Sequence, residues 1–260
     1  LTAFYGFLFA LLLFGAFFLM PAGGGAAGQG GRWAILAGSL ALAFAAGMAT
    51  NLRVIQADIA FKAGEVFARP GSWPVAIEIY KRARDLAPNE DYYYLFLGRA
   101  YLEHAKTIQD EQERESLIAA AAEDLKEAQR INPLNTDHTA NLARLYSLWS
   151  TFPNDPVEQA THASLADEYF ARAVSLSPKN ARLWGEWAAN TMNNLNDPQT
   201  AYQRLQQALA IDPYYDWTYG LIGDYYGRFI SKDPNVSAGE KEEALIQAAE
   251  YYTRALSLAE

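Results

Sequence analysis

Residues that could carry out chemistry are few in this sequence, and their spacing fits none of the common reactive sites. The chain has no cysteine, and none of its histidines stands at metal-ligand spacing from another ligand. The histidines are His104, His138 and His162. The acidic run 110–115 lacks the central glycine of a calcium loop, and the glycines of 22–31 lack the Lys-Ser/Thr pair of a phosphate loop. We therefore predict no catalytic residue, no cofactor and no metal. The chain is then not an enzyme, unless it is part of a larger membrane enzyme.

Three arginines, Arg99, Arg144 and Arg182, are the remaining candidates for a binding site. A guanidinium group can donate two parallel hydrogen bonds to a carboxylate, so arginines on one surface could hold an acidic ligand. Residues 57–260 contain all 30 acidic residues but only 19 of the 21 basic ones, so this region is strongly negative. Nucleic acid is therefore excluded as the main partner, because it is itself negatively charged. Whether the three arginines can act together depends on the elements that carry them.

One spacing recurs five times: a small residue, a large residue four positions later, alanine three after that, and proline five further on. Positions three and four apart share one helix face, so each copy predicts a helix with two close contacts around one bulky side chain. Proline ends each copy, because it cannot continue a helix. The first four copies are Ala76, Tyr80, Ala83 and Pro88; Ala121, Leu125, Ala128 and Pro133; Ala166, Phe170, Ala173 and Pro178; and Ala201, Leu205, Ala208 and Pro213. The fifth copy, Ala248, Tyr252 and Ala255, lacks its proline.

A second helical stretch precedes each copy, with a small residue and usually an aromatic residue three positions later. These pairs are Gly64 and Phe67, Gly98 and Tyr101, Ala143 and Tyr146, Ala188 and Thr191, and Gly223 and Tyr226. Each unit is therefore predicted to be a helical hairpin. The segment "YLFLGRAYLE" from Tyr94, Trp184 and Tyr219 add further matching positions. On these residues the chain from about 57 to 260 resembles the tetratricopeptide repeat (TPR) family, whose fold is a stack of such hairpins.

The resemblance and the hydrophobic N-terminal sequence together predict an all-α fold: two N-terminal hydrophobic, transmembrane-type helices, followed by a TPR α-solenoid of about five hairpins. We predict a hydrophobic helix at 1–21, a Gly-rich linker at 22–31, and a second hydrophobic helix at 32–56 that continues into the solenoid. The predicted repeats are 57–90, 91–135, 136–180, 181–215 and 216–260, the last without a C-terminal cap. The segments 106–116, 150–162 and 229–241 lengthen three hairpins, and we predict extended turns there, with some lengthening of the helices.

The first 56 residues have the composition of membrane segments. Residues 1–31 carry no charge, and 33–50 form a second uncharged stretch between Arg32 and Arg53. Stretches of about 18 to 20 apolar residues match the hydrocarbon core of a bilayer, so we predict two transmembrane helices. Ala37, Ala41, Ala45 and Ala49 recur every four residues, which is typical of a ridge for close helix packing. The alternative is that alanine and glycine are simply common in membrane helices.

In the TPR family the first helices of the hairpins line the concave face. The resemblance therefore implies a groove that contains Tyr92, Arg99, Arg144 and Arg182 and could bind a peptide carboxylate or acidic side chains. Leu95 and Ala140 stand where the chaperone-tail clamp of the family would have lysine. The alternative is that the arginines pair with acidic residues of the same chain.

The last predicted helix would leave an apolar face with nothing after it in the sequence. We predict an assembly face there, formed by Tyr251, Tyr252, Leu256 and Leu258. Each repeat needs a neighbour to bury its apolar surface, so another copy, another protein or a missing segment is expected to cover it.

Three functions remain open. The first is a non-catalytic TPR interaction module, anchored by residues 1–56 in a membrane and binding a protein partner or copies of itself. The second is a self-assembling subunit of an extracellular fibre, with the hydrophobic helices as its core. The third is the C-terminal tail of a bacterial O-antigen-ligase-like glycan transferase, which "NEDYYYLFLGRAYLE" resembles. The chain begins at Leu1, which fits a processed or truncated start. We expect it at the cell membrane, or in an extracellular fibre.

Overall fold

The computed structural model describes residues 26–153 and 155–259, and the regular structure in these residues is entirely helical. The helices form hairpins: α1 with α2, α3 with α4, α5 with α6, α7 with α8, and α9 with α10. Their bounds are α1 Ala26–Ala68, α2 Trp73–Leu86, α3 Asp91–Ala105, α4 Glu111–Ile131, α5 Thr136–Trp149, α6 Pro156–Leu176, α7 Ala181–Asn193, α8 Pro198–Ile211, α9 Asp216–Asp224 and α10 Ala238–Ala259. A π-helical turn, Tyr225–Ile230, follows α9 directly.

The repeated prolines end the second helices as predicted. Helices α2, α4, α6 and α8 each stop two residues before their proline, at Leu86, Ile131, Leu176 and Ile211. A residue before proline is disfavoured in α geometry, which explains this common end point.

The small residue of the first helix meets the bulky residue of the second helix inside three of the hairpins. A Cβ atom on Gly98 would lie 2.7 Å from Leu125 Cγ, and one on Gly223 would lie 2.6 Å from the ring of Tyr252. A Cβ atom on Gly64 would lie 2.5 Å from the ring of Tyr80. Glycine at these positions therefore lets the two helices of a hairpin approach around one large side chain.

The chain divides into two compact units, 1–88 and 89–260. In the described part of the first unit, Phe61 of α1 stacks on Tyr80 of α2, with ring centroids 5.3 Å apart. In the second unit, the main buried cluster joins α3, α4, α5 and α6. A further cluster joins α7, α8, α9 and the π-helical turn.

The three inserted segments contribute more helix, and less turn, than predicted. Helices α4, α6 and α10 have 21, 21 and 22 residues, whereas α2 and α8 have 14 each. The acidic run 110–115 begins α4: the Asp110 carboxylate accepts a hydrogen bond of 2.8 Å from the Glu113 backbone N–H. Acidic side chains in a first turn also stabilise the positive end of the helix dipole. The predicted extended turn at 106–116 is therefore shorter than expected and is confined to 106–110, because the helix lengthening that was also predicted reaches Glu111.

The hydrophobic N-terminal region is described only in part. Helix α1 is continuous from Ala26 to Ala68, so it starts inside the predicted linker 22–31 and runs through 32–56 into the first hairpin. Once a helix is nucleated, each further residue adds a hydrogen bond, and alanine favours this extension. In the described part of the chain, no helix combines the length and the apolar composition needed to cross a membrane. The transmembrane prediction for 32–56 is not supported, and the predicted helix at 1–21 lies outside the described residues.

Candidate groove on the first helices

Helices α3, α5 and α7 line a groove of about 710 Å³ in the second unit. It contains the four residues predicted for the binding groove. The lining residues are Tyr92, Leu95, Phe96, Arg99, Leu102, Glu103, Lys106, Asn135, Asp137, Asn141, Arg144, Leu148, Asn180 and Arg182. Four of its six charged lining side chains are basic, although the whole chain has a formal net charge of −9.

One side of the groove is aromatic and is supplied by α3. The rings of Tyr92 and Phe96 lie one helical turn apart, with centroids separated by 4.5 Å. The guanidinium of Arg99 lies 5.4 Å from the centroid of the Phe96 ring, within the range of a cation–π contact. This side therefore offers apolar surface next to a positive charge.

Arg144 and Arg182 converge on one carboxylate, that of Glu186 in α7. Arg144 donates from Nε to Glu186 Oε2 at 2.8 Å, and its Nη2 is in ion-pair contact with the same oxygen at 2.7 Å. Arg182 donates from Nε to Glu186 Oε1 at 2.8 Å. The hydrogen bond to Glu186 raises the pKa of Arg182. Two guanidinium groups thus share one negative charge, which leaves a net positive centre at this end of the groove.

Glu186 was not predicted from the sequence, although a signal was available. Arg182 and Glu186 are four residues apart on one helix, a spacing that places them on the same face. The partner of Arg144 lies 42 residues away in the next hairpin, so local spacing does not predict that contact.

Arg99 differs from the other two arginines. Within the described ranges 26–153 and 155–259, no carboxylate lies within ion-pair distance of its guanidinium. Its side chain is exposed on α3. Arg144 and Arg182 therefore pair with an acidic residue of the same chain, as the alternative interpretation predicted, whereas Arg99 does not.

His138 connects two hairpins. His138 is fully buried, and its Nε2 lies 2.6 Å from Asp91 Oδ2 at the start of α3. Burial, the largest single effect, acts to raise the pKa of Asp91, but the interactions with His138, Asn132 and Asn135 together outweigh it and lower that pKa. Among the described residues, no group of histidine, aspartate and glutamate side chains could hold a metal ion.

His162 lies in an aromatic stack between α5 and α6. Its ring is 4.3 Å from that of Trp149 and 6.0 Å from that of Tyr146, in nearly parallel planes. Neither of its ring nitrogens has a hydrogen-bond partner among the described residues, and Glu158 Oε1 is 3.7 Å from Nε2. Burial lowers the pKa of His162, so the stack favours the neutral ring.

A half-buried polar network ties α6, α7 and α8 together. Asp167 Oδ1 accepts hydrogen bonds from Trp187 Nε1 at 2.6 Å and from Arg204 Nη1 at 2.8 Å. The Arg204 guanidinium also contacts Thr191 Oγ1 and lies 3.7 Å from the centroid of the Trp187 ring. This network was not predicted, because its members come from three helices.

The predicted assembly face is partly exposed. Leu256 and Tyr252 are exposed, whereas Tyr251 and Leu258 are half-buried. The Tyr251 ring stacks on Tyr226, with centroids 5.7 Å apart. The Tyr252 hydroxyl donates to Asp224 at 2.8 Å. Of the predicted packing ridge, Ala37, Ala41 and Ala45 are exposed in α1, and the side chain of Ala49 is not among those described.

No protein-family model and no curated protein sequence matches the chain. Solved structures of similar fold include MamA, residues 41 to the end, from Desulfovibrio magneticus RS-1. It is 14% identical and has a TM-score of 0.55, over 78% of this chain and 94% of that one. A thermophilic TPR protein of Thermus thermophilus is 19% identical, with a TM-score of 0.54 over 78% and 95% of the two chains. PilF of Pseudomonas aeruginosa is 14% identical, with a TM-score of 0.53 over 79% and 77%.

At these identities the likeness shows the fold alone: the hairpins of the second unit stack as in a TPR α-solenoid, as the repeated spacing predicted. None of these three structures is named as an O-antigen ligase. The resemblance of "NEDYYYLFLGRAYLE" to that family therefore stays a prediction.

Proposed function

We propose that the chain is a protein-interaction module whose groove along α3, α5 and α7 binds an extended segment of another protein that carries acidic side chains. The observation that carries this proposal is the environment of Arg99, a guanidinium group without a carboxylate partner among the described residues, beside exposed aromatic surface. The TPR fold of the structural neighbours supports binding of a protein.

Each arginine has donors for a ligand. Arg99 has all five of its N–H groups available for a carboxylate, because no hydrogen bond from its guanidinium is formed within the described residues. Arg144 donates one N–H group to Glu186 and has Nη2 in ion-pair contact with it, so it keeps further N–H groups for a ligand. A segment lying along the groove would place one acidic side chain on Arg99 and a second one near the centre shared by Arg144 and Arg182.

The aromatic side of the groove adds a second requirement for the bound segment, which is an apolar side chain. Tyr92 is 46% exposed and touches Phe96, so an apolar side chain of the ligand gains by covering both rings. A ligand that alternates acidic and apolar side chains therefore fits the groove better than a uniformly acidic one.

A synthetic peptide tests this proposal. The probe is a fluorescently labelled peptide of about ten residues that alternates Glu and Leu, and its matched control has Gln at every Glu position. We expect the Glu peptide to bind the full chain at least tenfold more tightly, since hydrogen bonds to charged groups contribute about 1.5–3 kcal/mol. Fluorescence anisotropy measures both affinities.

Two arginine variants locate the binding surface. Arg99→Ala should weaken binding of the Glu peptide by about tenfold. Arg172→Ala, which removes an exposed arginine of α6 outside the groove, should leave the affinity unchanged. Equal affinities for the Glu and Gln peptides would overturn the proposal, as would an equal loss in both variants.

A further inference from the structure

Inside the second unit, each second helix except α10 is covered on one face by the first helix of the next hairpin. Ile118 and Leu125 of α4 share a buried cluster with Leu142 of α5. In the same contact, Gln129 Nε2 donates to Thr139 Oγ1 of α5 at 2.8 Å. Similar clusters join α6 to α7 and α8 to α9. We call this contact between successive hairpins the interior joint.

Helix α10 exposes the positions that the interior joints bury. Leu245 is 55% exposed and Leu256 is 71% exposed, and Tyr252 between them is exposed as well. Equivalent positions in the other second helices are found by aligning the first alanine of each repeated spacing, which is Ala248 in α10. In the earlier second helices of the second unit the equivalents are buried, apart from three that are half-buried, Pro198, Gln129 and Leu209. They are Ile118, Ala163 and Pro198 for Leu245; Leu125, Phe170 and Leu205 for Tyr252; and Gln129, Val174 and Leu209 for Leu256.

Helix α1 exposes the other half of the same contact. Ile59 is 63% exposed and Val66 is 65% exposed, with the exposed Ala63 between them on one helix face. Equivalent positions in the other first helices are found by aligning Gly64 of α1 with Ala143, Ala188 and Gly223. All of these equivalents in α5, α7 and α9 are buried. They are His138, Leu183 and Thr218 for Ile59, and Leu145, Asn190 and Tyr225 for Val66.

We propose that two copies of this chain associate head to tail, with α10 of one copy packing on α1 of the next as an additional interior joint. The argument is complementarity: the two exposed faces are the two halves of a contact that the chain already forms inside its second unit. The contact is heterologous, because different surfaces meet. It therefore does not close at a dimer by two-fold symmetry, and further copies can add.

Sedimentation velocity of the full chain in a mild detergent tests the proposal. If the joint is at the lower limit of specific interfaces, about 1,200 Å², we expect association between about 1 and 100 µM. Over this range the weight-average mass should rise to at least twice the 28.8 kDa of one copy. Ile59→Glu and Leu256→Glu should each remain monomeric. Leu134→Glu, at a position 78% exposed in the turn between α4 and α5, should associate like the unaltered chain.

Mixing the two monomeric variants distinguishes this contact from any symmetric one. Ile59→Glu keeps an intact α10 face and Leu256→Glu keeps an intact α1 face, so an equimolar mixture should form a dimer that does not grow further. A mixture that stays monomeric would overturn the proposal, as would association of either variant alone. A monomeric unaltered chain at every concentration would also overturn it, and would mean that another protein or residues after 260 cover these faces.

Discussion

Replacement of Gly98 by alanine is a direct test of how the hairpins are built. Gly98 of α3 faces Leu125 of α4, and an added Cβ would lie 2.7 Å from Leu125 Cγ and 3.1 Å from the carbonyl oxygen of Ala121. The carbonyl belongs to the backbone, and Leu125 is fully buried in the main cluster. Neither atom can therefore move away without disturbing the hairpin.

Two opposing effects set the size of the change. Alanine stabilises a helix by about 0.5–1 kcal/mol relative to glycine. Inserting a carbon atom into a packed core destabilises by about 1–3 kcal/mol. We therefore expect Gly98→Ala to lower the free energy of unfolding by up to about 2.5 kcal/mol.

Gly220→Ala is the matched control. Gly220 lies within α9, and no described atom lies within 4 Å of the position where its Cβ would stand. This variant gains the helix propensity without the clash, so it should stabilise the chain by about 0.5–1 kcal/mol. Urea unfolding followed by far-UV circular dichroism measures both variants. If Gly98→Ala is as stable as Gly220→Ala, the close contact between Gly98 and Leu125 does not exist as described.

Two further predictions concern the aromatic stack and the polar network. Because burial lowers the pKa of His162 below its ordinary value of 6.5, the unfolded chain binds a proton at pH values where the native chain does not, so stability is lost as pH falls below about 6.5. His162→Phe should make the free energy of unfolding less dependent on pH between about 7.5 and 5.5, as measured by urea unfolding at several pH values. If the free energy of unfolding depended on pH equally in His162→Phe and in the unaltered chain, this explanation would be wrong. Asp167→Ala should destabilise the chain by about 1–3 kcal/mol, because Arg204 and Trp187 lose their shared acceptor. Adding Arg204→Met should restore part of this loss in the same urea assay, and an undiminished loss in the double variant would show that the network is not coupled.

The repeated spacing predicted the hairpins because its contacts are local. The positions of Ala121, Leu125 and Ala128 on one helix face follow from the helical period alone. The extension of α4 as far as Glu111 was not predicted, because a polar segment such as 106–116 is typical of a turn. The Asp110 cap and the buried Ile118 near the start of α4 stabilise this extension, and burial depends on neighbouring hairpins.

The groove was predicted only in outline. The TPR resemblance placed Arg99, Arg144 and Arg182 on first helices, but it did not show that Glu186 joins two of them. The bond between Arg144 and Glu186 links two hairpins, and the position of one hairpin against the next is set by packing that no local pattern encodes. The π-helical turn Tyr225–Ile230 was likewise not predicted.

Hydrogen–deuterium exchange of the full chain, with and without the Glu–Leu peptide, tests the central claim most directly. If the groove binds acidic segments, the peptide should slow amide exchange in α3, α5 and α7 and leave α4, α6 and α8 unchanged. Slower exchange confined to the second helices, or no change in α3 at saturating peptide, would contradict the proposal that this groove is the binding site.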